Sequence, residues 1–289
     1  MSRTDSIQER SKRYAIKIEL AKMLVGKMIV VVRSPSDAYI AEEFGAGAVV
    51  PTKMAYAELR QIHGGMYGPE LDVILDVMDR VTIPVIGRVR TGHTSEAMAL
   101  EAALVNLIEE NEFILQAQTE EHISKHSFKI PFIGEAANLK EALQRIAEGV
   151  SLIRTSYTND DETYDVSQTF SAVRKIFEEI DTVANANETL WINFATSNKV
   201  SIELVKMVAR LKKLPVPFFA AGGISMPVDV AMLMSLGCDG VFISSRVFFT
   251  VNPEARLRAI RDAIEGFDDP SVAVTLMDEV EGFGKQYYE

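Results

Sequence analysis

Residues capable of acid–base or electrostatic chemistry follow several short apolar runs of the sequence. Arg88 ends the run IPVIGR, His93 lies five residues beyond it, and the segment EENE at 109–112 follows the run VNLI. Arg154 ends a third run, SLIR, and Ser156 lies two residues later. Imidazole and carboxylate groups transfer protons, whereas guanidinium groups bind anions or polarise carbonyls. If the runs are parallel strands, their carboxyl ends share one face, and these side chains are predicted to meet there.

Each of these groups also has a structural interpretation. His93 is either a general base or a loop residue that makes hydrogen bonds, and both interpretations stay open. The carboxylates of EENE, which include Glu109 and Glu112, are either catalytic or the solvated side chains of a loop, and the loop is favoured.

Two glycines in the segment AAGGIS, Gly222 and Gly223, precede an amphipathic stretch. Glycines at the start of a helix expose backbone N–H groups that bind phosphate. A tight strand-to-helix turn that needs positive φ explains the same residues equally well. The sequence alone therefore leaves the phosphate site and the turn as alternatives.

The elements that must position these residues form a regular alternation. Amphipathic stretches with apolar residues at three- and four-residue spacing separate eight short β-rich runs. Eight β/α cycles in a chain of 289 residues favour a (β/α)₈ TIM barrel over a doubly wound sheet, with an extra N-terminal helix and an additional C-terminal helix. The predicted strands are 28–32, 48–51, 83–88, 105–108, 131–133, 151–154, 217–220 and 240–244.

We expect one barrel domain over residues 1–289, with residues 1–26 as an N-terminal helix extension. The segment 155–188 is predicted to be an elaborated sixth βα loop followed by a helix. A domain boundary there is the weaker alternative, because no linker-like Pro/Gly/Ser tract accompanies it. Asn252 as N-cap and Pro253 at the first helical position predict the C-terminal helix.

Composition excludes several classes of function. The 41 acidic residues outnumber the 30 basic ones, giving a formal net charge of −11 without a marked Lys/Arg run, so no nucleic-acid partner is expected. No apolar run is long enough to span a membrane, and the opening residues are too polar for a signal peptide, so a cytoplasmic location is expected.

A metal centre is also not predicted. The single Cys238 lies in an apolar segment that indicates a buried structural thiol. His122 and His126 have the i, i+4 spacing of one helix face, but no acidic residue pattern in their sequence completes a zinc site.

Several longer motifs resemble one known family, the SNZ/PdxS group, which is the lyase subunit of glutamine-dependent pyridoxal 5′-phosphate synthase. The similarity covers nearly the whole chain. The motifs that carry it are AYIAEEFGAGAVV, VTIPVIGRVRTGH, EAMALEAALVNLIEENE, HISKHSFKIPFIG, EALQRIAEGVSLIRT, LPVPFFAAGGISMPVDVAMLMSLGCDGVFISS and NPEARLRAI.

The resemblance implies (β/α)₈ barrels assembled as hexamers or dodecamers, to which a glutaminase docks and delivers ammonia. The family joins a pentose phosphate, a triose phosphate and ammonia through imines on two lysines. At those two positions this sequence has Arg88 and Ser156. Arginine stays protonated and weakly nucleophilic, and serine cannot form an imine. We therefore expect Arg88 to place a fixed positive charge there, paired with Glu109 or Glu112.

Other positions depart from the family pattern in the same direction. An acidic residue of the first strand is replaced by Val31, an aspartate after the fourth strand becomes Glu109, and a glycine-rich phosphate loop becomes YTNDDET. The residual site implied by the resemblance comprises His93, Glu112 and Arg154. The residual phosphate-binding residues that it implies are Gly222, Gly223, Ser244, Ser245, His122 and Arg145.

The favoured hypothesis is a catalytically inactive paralogue that acts in vitamin B6 biosynthesis by co-assembling with active lyase subunits or stabilising them. It requires no cofactor, and a homo-oligomer, hexameric or dodecameric, is expected. The first helix, which carries the glutaminase docking surface in the family, is rewritten here, and this weakens the expectation of docking. The alternative is a barrel enzyme of altered, non-imine chemistry on an anionic sugar or carbonyl substrate. A third hypothesis retains the synthase reaction, with Lys53 substituting as the reactive amine.

Overall fold

Eight parallel strands form one sheet in a computed structural model that describes residues 7–53, 70–111, 122–156, 166–269 and 272. The hydrogen-bonded order is β2-β1-β8-β7-β6-β5-β4-β3, and a parallel bridge between Val49 and Val85 joins its two edges. The sheet is thus a nearly closed barrel, as the eight β/α cycles predicted. The strands are β1 Lys27–Val32, β2 Ala46–Pro51, β3 Ile86–Arg90, β4 Leu107–Asn111, β5 Phe132–Ala136, β6 Leu152–Thr155, β7 Phe218–Ala220 and β8 Gly240–Ile243.

Helices alternate with the strands along the described parts of the chain. Their apolar stripes pack against the outer face of the barrel, where most of the hydrophobic core lies. None of them combines the length and apolar character needed to cross a membrane. The α-helices are α1 Ile7–Lys22, α2 Pro35–Glu43, α3 Leu71–Met78, α4 Thr94–Ala102, α5 Leu139–Ala147, α6 Ser167–Ala184, α7 Glu188–Asn198, α8 Ile202–Leu211, α9 Pro227–Ser235 and α10 Pro253–Glu265.

Helix α7 was not predicted from the sequence. Its start is nevertheless encoded locally, because the Asn187 side chain accepts a hydrogen bond of 3.0 Å from the backbone N–H of Leu190. The chain between β6 and β7 therefore contains three helices, α6, α7 and α8. The predicted cap of the C-terminal helix is confirmed, since Asn252 accepts from the Ala255 N–H at 3.0 Å.

Three predicted strand ends were wrong by two or three residues, and all three errors bear on the site, since β5 runs to Ala136 and so includes Glu135. Strand β3 extends to Arg90, so Arg88 lies inside the strand and not at its end. Strand β4 runs to Asn111, so Glu109 and Glu110 are buried strand residues and not solvated loop residues. Charged residues normally mark the end of a buried strand. Here they continue the strand because each is paired with an opposite charge inside the fold.

The barrel interior is apolar towards the amino ends of the strands. Side chains from all eight strands form one buried cluster with Ala21 and Leu24 of the α1 segment, which therefore closes this end of the barrel. The strand residues of the cluster are Ile29, Val31, Ala48, Val50, Ile86, Leu107, Ile133, Leu152, Phe219 and Phe242.

The close contact of β8 with its neighbours requires a glycine at position 240. A methyl group there would lie 2.5 Å from the carbonyl oxygen of Lys27 and would overlap the Phe219 ring. We predict that Gly240→Ala lowers the free energy of unfolding by about 3 kcal/mol in chemical denaturation, because neither backbone nor ring can yield cheaply. Gly26→Ala is the control. It meets no atom within 4 Å and carries only its positive φ, with a cost of about 1 kcal/mol. Equal losses in the two variants would contradict the prediction.

Candidate functional site

Four charged side chains project into the barrel from consecutive strands. They are Arg88 on β3, Glu109 on β4, Glu135 on β5 and Arg154 on β6. Each follows an inward-facing apolar residue by two positions, and alternate residues of a strand face the same side. The four therefore form a layer above the apolar floor. Those apolar residues are Ile86, Leu107, Ile133 and Leu152.

The four side chains form a continuous chain of ion pairs with alternating sign. Arg88 Nε donates to Glu109 Oε2 at 2.5 Å, and Arg154 Nε donates to Glu109 Oε1 at 2.6 Å. A second nitrogen of Arg154 donates to Glu135 Oε1 at 2.6 Å, and its third donates to the Thr155 carbonyl at 2.9 Å. The pairing of Arg88 with Glu109, one of the two partners expected from the sequence, is therefore observed.

This layer is shielded from water. Glu109 and Arg154 have no exposed surface, and the Arg88 side chain retains 9%. Burial raises the pKa of Glu109, but the charges of Arg88 and Arg154 outweigh it and hold that pKa below its usual value. The ring of Phe242 lies 5.7 Å from the Arg154 guanidinium carbon and covers its face. Two cations and two anions thus form a neutral unit in the interior.

The arrangement holds the four charges in fixed ion pairs. Both carboxylate oxygens of Glu109 already accept from guanidinium groups, so they are not placed to take a proton from a substrate. Neither guanidinium can act as a nucleophile. Val31 adds an apolar side chain to the same interior, at the position where the family resemblance implies an acid.

Ser156 lies directly after β6 at the mouth of the barrel. Its backbone N–H donates to the Ala136 carbonyl at 3.1 Å, which continues the pairing of β6 with β5, and its side chain is half-buried. The position is thus at the carboxyl end of the barrel, as predicted. A hydroxyl group there offers no amine for carbonyl capture.

Gly222 and Gly223 form a tight turn after β7. Their φ angles are 109° and 65°, which few other residues adopt. The hydroxyl of Thr155 donates to the Ala221 carbonyl at 2.7 Å, and that of Thr169 lies 2.7 Å from the Gly222 carbonyl. The turn interpretation of the double glycine therefore agrees with the backbone. A phosphate role for these glycines stays a prediction.

Ser244 and Ser245, the other predicted phosphate ligands at this end, follow β8. The Ser244 hydroxyl accepts from the backbone N–H of Arg246 at 3.2 Å and so caps the short 3₁₀ helix Ser245–Phe249. Ser245 is buried. Both residues are therefore part of the local turn, and their predicted contact with phosphate is untested.

His93 is not brought to the buried layer. Its Nδ1 lies 3.8 Å from Glu96 Oε1 at the start of α4, and the same carboxylate accepts from Arg90 Nε at 2.7 Å. The imidazole is therefore part of a loop and helix-start arrangement, which corresponds to the structural interpretation of this residue. Glu112, the other predicted member of the residual site, lies outside the described residues.

A second charged cluster lies on the outer side of β4. Glu110 points away from Glu109 and accepts from the backbone N–H groups of Gly92 and Ile123, each at 2.9 Å. Lys125, which is fully buried, has its ammonium 2.5 Å from Glu110 Oε2 and 3.0 Å from Glu148 Oε2. This cluster joins the loop after β3 to the segment before β5.

His122 and Arg145 belong to this outer cluster. His122 Nδ1 lies 3.4 Å from Glu110 Oε2, and Arg145 donates to Glu148 Oε1 at 2.6 Å. The sequence grouped these two residues with the mouth residues Gly222 and Ser244 as phosphate ligands. In the structure both contact carboxylates on the outside of the barrel, and their predicted phosphate role is untested.

Acidic residues do lie beside His122 in the structure, contrary to the sequence argument against a zinc site. Although no acidic residue near His122 in sequence completes a zinc site, β4 and α5 bring Glu110 and Glu148 beside it, with ligand atoms within 4.8 Å of one another. The Lys125 ammonium bridges the two carboxylates, and Arg145 provides the second positive charge that balances them. Although burial raises the Glu110 pKa, the hydrogen bond to His122 and the charge of Lys125 lower it to about 2.

Sequence reasoning missed Glu135, Glu110 and Lys125. For Glu135 a signal was available, because its position two residues after Ile133 repeats the spacing of Arg88 and Arg154 after their apolar neighbours. No comparable local signal indicates Lys125, since its partners come from β4 and α5. The predicted buried thiol of Cys238 is confirmed, and burial raises its pKa above the ordinary value.

Comparison with known proteins gives a consistent match. The model of the SOR/SNZ family matches residues 13–221. "Pyridoxal 5'-phosphate synthase subunit PdxS" of Chloroflexus aggregans is 41% identical over 259 residues, 90% of this chain and 88% of its own. "Probable pyridoxal 5'-phosphate synthase subunit pdx1" of Dictyostelium discoideum is 39% identical over 267 residues, 92% of this chain and 87% of its own.

A solved structure is similar in fold alone. Thiamine phosphate pyrophosphorylase from Pyrococcus furiosus superposes with a TM-score of 0.50 at 15% identity, covering 86% of this chain and 98% of its own. At this level of identity the likeness supports the barrel and says nothing about chemistry.

The buried layer is expected to be sensitive to the loss of one charge. Glu109→Gln leaves Arg88 and Arg154 without their shared carboxylate, and we predict that it lowers the free energy of unfolding by about 3 to 5 kcal/mol. Chemical denaturation measures this loss. Glu188→Gln, which removes an exposed partner of Lys206, is the control and should change stability little. Similar small losses in both variants would show that the layer is not an energetic unit.

Proposed function

The chain belongs to the SOR/SNZ family, and we propose that it is a catalytically inactive paralogue of the pyridoxal 5′-phosphate synthase lyase subunit. In this proposal it serves vitamin B6 biosynthesis by assembling with active lyase subunits and stabilising them. The support is of two kinds: the identity to named synthase subunits over nine-tenths of the chain, and the charge layer inside the barrel.

The observation that carries the proposal is the state of Arg88. The family chemistry implied by the resemblance needs a neutral amine at this position to attack a sugar carbonyl. Here a guanidinium is held by Glu109, which is itself held by Arg154. The second amine position is Ser156. Neither Arg88 nor Ser156 therefore supports an imine, and the charged groups of the interior are paired with one another.

Lys53 is a poor substitute for the missing amines. It follows β2 at the surface, and its ammonium pairs with the carboxylate of Asp72 on α3. An adjacent carboxylate favours the protonated ammonium and opposes the neutral amine that imine formation requires. The hypothesis of a rearranged synthase reaction is therefore the weakest of the three.

A barrel enzyme of non-imine chemistry is the alternative, and the geometry gives it less support. Arg88, Arg154 and Glu109 would have to leave their ion pairs to engage an anionic sugar or a carbonyl. His93, the candidate base, pairs with Glu96 outside the charge layer. Separating buried opposite charges is costly, so substrate binding would have to supply that energy.

Assembly is supported by apolar side chains that the single chain leaves exposed. Leu75 on α3 and Met98 on α4 are 47% and 51% exposed, and Leu71 is 37% exposed on the same side of α3. Apolar side chains on neighbouring helices mark a surface that another subunit covers. We propose that this surface contributes to a hexamer or dodecamer, formed with copies of the chain or with an active relative. Glutaminase docking is not part of the proposal.

Reductive trapping tests the loss of imine chemistry. Incubation of the purified chain with a pentose phosphate, followed by borohydride, is expected to give no covalent adduct by mass spectrometry, because neither Arg88 nor Ser156 forms a reducible imine. The Chloroflexus aggregans subunit, treated in parallel, is the positive control. An adduct on any residue of this chain, or synthesis of pyridoxal phosphate by the isolated protein, would refute catalytic inactivity.

Native mass spectrometry tests the assembly role. Co-expression with the same active relative is expected to give rings that contain both chains, and Leu75→Arg with Met98→Arg should reduce mixed rings at least tenfold by placing charges in the interface. Val251→Arg, at an equally apolar but separate exposed position, is the control and should leave mixed rings intact. Spectra with only homomeric rings would exclude co-assembly and leave the trapping result unaffected.

A further inference from the structure

Two polar side chains near the middle of helix α1 attach it to the barrel. The Tyr14 hydroxyl donates to the Val150 carbonyl at 2.6 Å, and the Lys17 ammonium donates to the Lys125 carbonyl at 2.9 Å. Among the described residues of this segment, the buried apolar side chains are Ala21, near the end of the helix, and Leu24, just after it. The opposite face leaves apolar side chains exposed, namely Ile16, Leu20 and Met23.

Lys17 is an unusual anchor. Its side chain retains only 2% of its exposure, yet within the described part of the chain that carbonyl is its one hydrogen-bond acceptor. A lysine ammonium has three donors, and a buried charge without a close counter-charge is strongly disfavoured. The site therefore accommodates a neutral amine better than an ammonium.

The charged groups around Lys17 explain which form is favoured. On its own helix, Arg13 repels the ammonium, and from α4 the carboxylate of Glu101 attracts it. The nearby ammonium of Lys125 is directed towards Glu110 and Glu148, which takes those carboxylates out of reach. Burial first, and Arg13 second, lower the Lys17 pKa to about 8, with Glu101 opposing them.

The other titratable group at this attachment is Tyr14. Burial raises the pKa of its phenol, so the hydroxyl stays protonated and continues to donate to Val150. The ring of His126 lies 5.9 Å from the Tyr14 ring, and its Nε2 is 2.8 Å from the Ala147 carbonyl. Lys17 is therefore the group whose charge changes in the mildly alkaline range.

We propose that α1 is a pH-controlled clasp, in which protonation of Lys17 loosens the helix from the barrel and deprotonation seats it. The sign follows from linkage. Between pH 8 and 10.5 the detached helix binds a proton at Lys17 that the seated helix has lost, so seating is strengthened as the pH rises. At neutral pH the Lys17 side chain is buried as an ammonium, which is unfavourable, so α1 detaches from the barrel more often.

Amide hydrogen exchange of the full chain tests the clasp. After correction for the intrinsic pH dependence of exchange, protection of residues 7–22 is expected to rise about tenfold between pH 7 and pH 9, given the lowered and ordinary Lys17 pKa values. Peptides from β1 report on the barrel itself and should show no such rise. The experiment is independent of the catalytic state of the barrel.

Three variants make the test specific. Lys17→Met should abolish the pH dependence and keep α1 well protected at pH 7, whereas Lys17→Arg should leave α1 weakly protected at every pH. Lys22→Met removes an exposed lysine of the same helix, paired with Glu19, and should retain the wild-type profile. Unchanged wild-type protection between pH 7 and 9, or a pH dependence that survives in Lys17→Met, would overturn the proposal.

Discussion

The charge balance of the buried layer is the constraint on which the barrel interior depends. Glu109 accepts from Arg88 and Arg154 on either side, and Arg154 also binds Glu135. Removing ions from water is costly, and only their mutual pairing in good geometry compensates. A guanidinium suits this role because its planar group can donate to two carboxylates at once, as that of Arg154 does to Glu109 and Glu135. Arg88 thus completes a neutral structural unit by its pairing with Glu109.

The two charged clusters divide strand β4 between them. Glu109 faces the interior and Glu110 faces outward, because successive residues of a strand point to opposite sides. The outer cluster fixes the loop after β3 and the segment before β5 through Glu110 and Lys125. The carbonyl of Lys125 in turn receives Lys17 of α1. Strand β4 and Lys125 therefore connect the charged layer inside the barrel to helix α1, which closes the apolar end.

Most of this framework is independent of the residue at position 88. The apolar floor, the strand order and the turn at Gly222 and Gly223 do not depend on an amine at position 88. A barrel of this kind retains its outer helices and their exposed apolar side chains, including Leu75 and Met98. In the proposed role the outer helices serve assembly, whereas the charge layer fills the interior, so the two occupy different parts of the fold.

The sequence by itself determined the eight-fold alternation, the strand positions to within a few residues, the resemblance to one family and the identity of Arg88 and Ser156, because periodicity and residue type are local properties. Only the tertiary structure showed that Glu109 and Glu110 are buried, that Glu135 completes the inner layer and that Lys125 lies between two carboxylates. Whether a charged residue lies in water or in an ion pair depends on partners from other strands. Closure of the barrel brings those partners together, and they are too far apart in the sequence for any local pattern to show the pairing.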